Sequence, residues 1–207
     1  MALFLERVTP LRDGRTTAPP TAKPRDAADI QPAHTEPRMS SSAQSHLDLI
    51  LQVFSDSLQQ VSDALADVPD ERLAEQPAGI VNHPAWTLSH LNTAAGFIIQ
   101  LLGGSDGAPT PDEAKSFGPG STPLPDRALY GSKADLLASL RNRHALAETI
   151  VRERHAEYFP RETPPQLRRF APTFGRIIVY LLATHESYHL GQLMQWRKAA
   201  GFGAVKN

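Results

Sequence analysis

Cysteine is absent from this chain. That excludes a disulfide framework, a thiolate zinc knuckle and a cysteine nucleophile, and it accords with a reducing cytoplasm. Any bound metal must rest on histidines and carboxylates, and any thiol chemistry must use a thiol brought in from outside. A surplus of either charge is also missing. The net charge is −1 and the pI is near 6.7, so neither nucleic acid nor an anionic membrane is an expected partner. "RNRH", "VRERH" and "QLRRF" read as solvated helix faces, since acidic residues are interleaved through the third predicted helix. No apolar run reaches the roughly 18–20 residues that span a bilayer. The opening "MALFLERVTP" is too short and too charged for a secretory signal. A convincing strand alternation is lacking.

What is present is enough apolar material, 41% of 207 residues, for one filled core. Residues 1–43 carry six prolines between Pro10 and Pro37 and no periodicity, which predicts a disordered tail. Met39 is followed by "SSSAQ", which resembles a native start, so residues 1–38 are expected to be dispensable. A domain is expected over 44–207. In its first helix Leu47, Leu51, Phe54, Leu58, Val61 and Leu65 alternate spacings of four and three. Ser45 is its expected N-cap and Pro69 closes it. A second helix opens at "NHPAW", with Asn82 or His83 as cap and Pro84 at the first helical position. Its apolar side is Trp86, Leu91, Ala94, Phe97, Ile98 and Leu101, and Gly103-Gly104 ends it. Residues 103–131 form a long Gly-, Pro- and Ser-rich connection, expected to have no structure of its own. It either wraps one end of the fold or crosses its length. The third helix runs from a Ser132 cap to Tyr158 and turns Leu136, Leu137, Leu140, Ala147, Ile150 and Val151 inward. The fourth runs from about Thr173 to Ala200. Its stripe is Phe174, Ile177, Ile178, Leu181, His185, Tyr188 or His189, Gln192 and Trp196. An all-α four-helix bundle follows, with the order of its helices left open.

The fourth helix contains His185-Glu186-Ser187-Tyr188-His189, an H-E-x-x-H pattern known from zinc peptidases. The peptidase assignment fails. The residues after His189, "LGQLMQWRKAAGFGAVKN", include no His, Asp or Glu to act as third ligand. The pair still places two imidazoles on one helix face. Chance alone yields roughly 0.3 such pairs in a chain of this composition, so the pair draws its weight from continuing an apolar stripe. A mononuclear centre with an open position needs a third protein ligand. His90, on the Trp86–Ala94–Phe97 side of the second helix, and His144, in the Leu140–Ala147–Val151 stripe of the third, both qualify by pattern. His46, His83 and His155 lie near helix ends. The alternative to a metal is a pair of core histidines bonded to hydroxyls or backbone.

"HPAWTLSHLN" and "THESYHLGQLMQWRKAAG" resemble the DinB-like (DinB/YfiT) superfamily of bacterial metal-binding proteins. "FGPGSTPLPDRALYGSKADLLASL" has the look of that family's central loop and third helix. The resemblance covers about residues 44–201. It implies a four-helix bundle of up-down-down-up order, with a long loop between helices two and three. It also implies a divalent metal (zinc, nickel or iron) bound by one histidine of helix two and two of helix four. Carried over, these are His90, His185 and His189, which decides between His90 and His144. Relatives often pair as homodimers. Some are transferases or isomerases that use a low-molecular-weight thiol such as mycothiol or bacillithiol, and others are stress-inducible proteins with no assigned reaction.

Three neutral imidazoles leave the charge of a divalent ion unneutralised, so a vacant position favours an anion and acidifies a bound thiol or water. The expected function is therefore a metal-dependent transferase moving a small thiol onto or off an electrophilic small molecule. The alternatives are a non-catalytic metal-binding stress protein and a metal-assisted hydrolase. Glu186 is the candidate catalytic group, as a proton relay or ligand orienter, with a solvated or salt-bridged surface carboxylate as its plainer role. Gln192, Tyr188 and Trp86 are the expected contacts to a cosubstrate. Core filling is the other role open to Tyr188.

Overall fold

The computed structural model of the chain describes residues 41–205, with side chains from Ser45 onward. The expected tail over 1–43 lies outside them except for its last three residues, which are already helical. The segment expected to be dispensable, 1–38, lies wholly outside. Among the described residues the chain is helical and has no strand; its one extended pairing is an isolated bridge between Glu162 and Thr173. No helix there is long and apolar enough to cross a membrane.

Helix α1 spans Ser41–Leu65. Its expected seam is buried, with Leu58 partly so. Ser45 lies a full turn inside the helix and is not its cap, because nothing in Ser41–Gln44 interrupts helical backbone. The carbonyls at its C-terminal end are satisfied from far along the chain. Arg197 Nη1 donates to Ala64 O at 2.5 Å, and Lys133 Nζ to Leu65 O at 3.0 Å and Val68 O at 2.5 Å.

Helix α2 spans Pro84–Leu101. His83 caps it, its Nδ1 accepting from Trp86 N at 3.3 Å while its Nε2 donates to Leu124 O at 2.9 Å. Burial extends around nearly its whole circumference, where a one-sided stripe was expected. Ser89, Asn92 and Thr93 are tolerated inside because each donates to the carbonyl four residues back. Gly103, at φ +78°, turns the chain out of the helix.

The connection that follows is more ordered than expected. It carries a short helix, α3, over Pro111–Phe117. Thr110 and Glu113 close a reciprocal capping box, and Arg143 grips Glu113 through both carboxylate oxygens at 2.8 and 3.0 Å. The connection lies back along α2. A methyl group on Gly96 would come within 2.9 Å of Gly107 O. Further on, Phe117 O reaches His90, Ser121 Oγ reaches Trp86, and Leu124 O reaches His83. The chain thus crosses the length of α2 and returns to its N-terminal end. Helix α4, Lys133–Tyr158, starts from there under a Ser132 cap. It therefore runs beside α2 in the same direction, tied by Asn92 Nδ2 to Leu136 O at 3.0 Å and by Arg154 Nη1 to Leu102 O at 2.8 Å.

After the short helix α5 (Pro165–Arg168), the predicted fourth helix arrives in three pieces: α6 (Phe174–Val179), a π-helical segment (Tyr180–His185) and α7 (Glu186–Ala199). A turn closed by i→i+5 bonds takes in extra chain. The buried positions accordingly step by four, Ile178, Leu182, Glu186, and only then resume at His189, Leu193 and Trp196. Leu182 replaces the expected Leu181 for this reason, and Tyr188 is turned outward.

The core is divided. One apolar cluster joins Val61 and Leu65 of α1, Leu88 and Leu91 of α2, Leu140 of α4, and Leu193 and Trp196 of α7. The other joins Leu51 and Phe54, Ile98 and Leu102, Ala147 and Val151, and Ile178 and Leu182. Between them the helices contribute polar side chains: Ser57, Asn92, His144, Glu186 and His189.

Candidate metal centre

His90 leaves α2 at this polar level, while His185 ends the π-helical segment and His189 lies one turn into α7. Their ring centroids are 5.1 Å (His90–His185), 4.6 Å (His90–His189) and 4.6 Å (His185–His189) apart. One nitrogen from each comes within 4.8 Å of the others. His90 Nε2 and His185 Nε2 are 3.1 Å apart. Two nitrogens on one tetrahedral zinc would be about 3.3 Å apart, given metal–nitrogen bonds of roughly 2.0–2.1 Å.

The outward nitrogens of His90 and His189 fix their tautomers. His90 Nδ1 is 2.5 Å from Phe117 O, the last residue of α3. A carbonyl only accepts, so Nδ1 carries the proton and Nε2 keeps its lone pair. His189 Nδ1 donates in the same way to Gln192 Oε1 at 2.9 Å, and Asn82 Nδ2 holds that oxygen from the other side at 3.0 Å. His185 Nδ1 is buried and has no hydrogen-bond partner among the described residues. Behind His90, the Trp86 ring stacks at a centroid distance of 4.7 Å, with its N–H donating to Ser121 Oγ at 3.2 Å.

Burial, the dominant cause, lowers the pKa of all three rings. His185 falls to about 3, helped by the neighbouring His189 and His90. His189 falls to about 4, helped by His90 and opposed by its bond to Gln192. His90 is lowered too, against the pull of its bond to Phe117. At neutral pH the cluster is uncharged and offers lone pairs, the protonation state a cation requires. Oriented Nε2 donors, close spacing and enforced neutrality together fit a bound metal ion.

The other expected residues divide. His144, the rival third ligand, is elsewhere: its Nε2 is 2.7 Å from Glu186 Oε1, and its ring lies flat on Phe54 at 3.7 Å with 4° between planes. Glu186 is not a solvated group. It is 3% exposed, burial raises its carboxyl pKa against the opposing bond from His144, and its oxygens are not among the converging donors. Trp86, expected to touch a cosubstrate, is 6% exposed and backs His90. Gln192 spends its oxygen on orienting His189. Tyr188 does not fill the core. It is 61% exposed, with its ring centroid 5.3 Å from that of His189. Tyr180 flanks His185 likewise, at 5.8 Å and 50% exposed.

Sequence reasoning missed three participants. Phe117 acts through its backbone, which no side-chain pattern reveals, although T-P-D-E at Thr110–Glu113 signals the helix that ends there. Asn82 was read only as a cap. Tyr180 comes beside His185 because of the π turn.

Residues 54–193 match the family model of the DinB superfamily, a stretch that contains all three histidines and Phe117. No curated protein and no solved structure matches the chain.

Proposed function

The chain belongs to the DinB superfamily, and from that premise we propose that His90, His185 and His189 hold a divalent metal for a transferase that joins a low-molecular-weight thiol to a small electrophile. The observation that carries this is the convergence of three uncharged imidazoles, two of them locked with Nε2 inward by Phe117 and Gln192. A metal held there would supply the positive charge that favours the thiolate form of a small thiol at neutral pH. The chain's own residues do the rest. Phe117 O and the Asn82–Gln192 pair keep two rings from rotating, and Trp86 excludes water behind His90. Tyr180 and Tyr188 flank the histidines with exposed rings that provide walls for a small organic substrate. In the transfer, a sulfur–carbon bond forms as the bond to the leaving group breaks. The leaving group keeps that electron pair, and the thiol proton passes to water.

The fold that goes with this reading is a four-helix bundle of up-down-down-up order. The shared direction of α2 and α4 supports it, as does the pairing of both halves of α1 with the matching halves of the last helix. A cytoplasmic homodimer completes the proposal.

The test is purification without a metal column, elemental analysis, and assay with small thiols and model electrophiles. Metal near one equivalent and turnover abolished by a chelator are expected. Turnover that persists without metal overturns the reaction. A His189→Ala variant should lose metal and turnover but keep its fold.

A further inference from the structure

Two of the three rings are held by a group outside the cluster, whereas His185 has an unpartnered Nδ1 and meets only His90, Nε2 to Nε2 at 3.1 Å. Its direction is therefore inherited from the backbone that carries it. That backbone is a π-helical segment, a rare turn closed by i→i+5 bonds that interrupts the α-helical register just before Glu186. Tyr180, at the start of the same segment, lies tilted beside the ring at a centroid distance of 5.8 Å and is half exposed.

The next residue is anchored hard. Glu186, the first residue of α7, is bonded across the core to His144 of α4, and His144 lies flat on Phe54 of α1. Phe54, His144 and Glu186 thus join three helices in one line, at the level where the two apolar clusters part. A buried pair of this kind is a poor source of stability, since apolar residues of similar volume commonly do as well. What it supplies is direction, because one bond of 2.7 Å sets both the height and the rotation of the helix at Glu186. His185 is the adjacent residue.

We infer that the His144–Glu186 pair is a positioning device for His185, fixing the π-to-α junction so that this otherwise unguided imidazole meets the metal held by His90 and His189. The inference rests on the metal reading above, and it assigns His144 a part in the centre without making it a ligand. Neither His144 nor Glu186 is among the converging donors; both act through the backbone of α7.

Cobalt(II) titration followed by visible absorption tests this, because affinity and band shape report ligand geometry apart from turnover. The unaltered protein should bind one cobalt with a well-defined spectrum. His144→Leu should bind roughly 10–100-fold more weakly, the usual effect of losing an outer-shell partner, with altered bands. His144→Gln places an amide N–H where Nε2 was and should restore both. If His144→Leu does not fold, the double variant His144→Leu/Glu186→Leu removes both polar partners. It should keep the melting temperature while still losing cobalt affinity. A folded leucine variant with unchanged affinity and spectrum overturns the inference alone. Failure of the unaltered protein to bind cobalt overturns the metal reading and the inference with it.

Discussion

A histidine ligand is useful only when its lone pair is free and aimed, and the three here meet that demand by different means. Gln192 is the simplest to probe: Gln192→Leu removes the acceptor from His189 Nδ1 and should weaken zinc binding about 10–100-fold by calorimetric titration. The depressed pKa values also set a pH dependence for the metal-free protein. A histidine of the unfolded chain titrates near 6.5, whereas His189 and His185 in the fold titrate at about 4 and about 3. Above pH 6.5 both states are neutral there and nothing is lost. As pH falls below it, the unfolded chain takes up protons that the folded one refuses. Stability should drop by about 1.4 kcal/mol per pH unit for each such proton and level off only below the folded values. Urea midpoints of the chelated protein at about pH 7.5 and about pH 5 check this; equal midpoints would contradict it. At this scale the sequence disclosed residue types better than surroundings. His185 and His189 were legible because four-residue spacing puts them on one face. The burial of Glu186 was not, because which neighbour a helix face meets is not written in the helix itself.

Two elements depart from expectation, and both adjoin the histidine cluster. Helix α3 was concealed by the glycines and prolines around it, although Pro111 and the Thr110–Glu113 box are the local chemistry that starts a helix. Thr110→Ala should cost about 1 kcal/mol of stability. Because α3 ends in the carbonyl that holds His90, zinc affinity in the same variant should fall measurably as well. A stability loss with unchanged affinity would separate α3 from the metal site. Gly96 sits where the connection crosses α2, with Gly107 O in the way of any side chain. Gly96→Ala should therefore cost about 1–3 kcal/mol by thermal melting. The π segment left no mark in the hydrophobic pattern strong enough to read. A single widened turn shifts the periodicity by less than one position, within the tolerance of any stripe.

Across the molecule, the polar level that interrupts the core holds the histidine cluster, so stability there should respond to metal. Ions that bind only the folded chain stabilise it by mass action. Free zinc at roughly a hundred times its Kd should contribute about 2.7 kcal/mol. In a domain of this size that raises Tm by about 5–10 °C, and a chelator should reverse it. A melting temperature indifferent to zinc and chelator would mean that the three imidazoles do not close on an ion.

Helicity, the apolar seam of α1, the cap at Ser132, the start of α2 at Pro84 and the i, i+4 histidine pair were determined by the sequence alone, because each depends on neighbours within a turn or two. The resemblance to the DinB superfamily selected His90. Only the tertiary structure decided that His144 faces Glu186, that Phe117 lends its carbonyl to His90, and that His185 stands without a guide of its own. The two contacts join residues 42 and 27 positions apart, and the approach of His90 to His185 spans 95. Separations of that length are closed by the packing of whole helices, which no local spacing encodes.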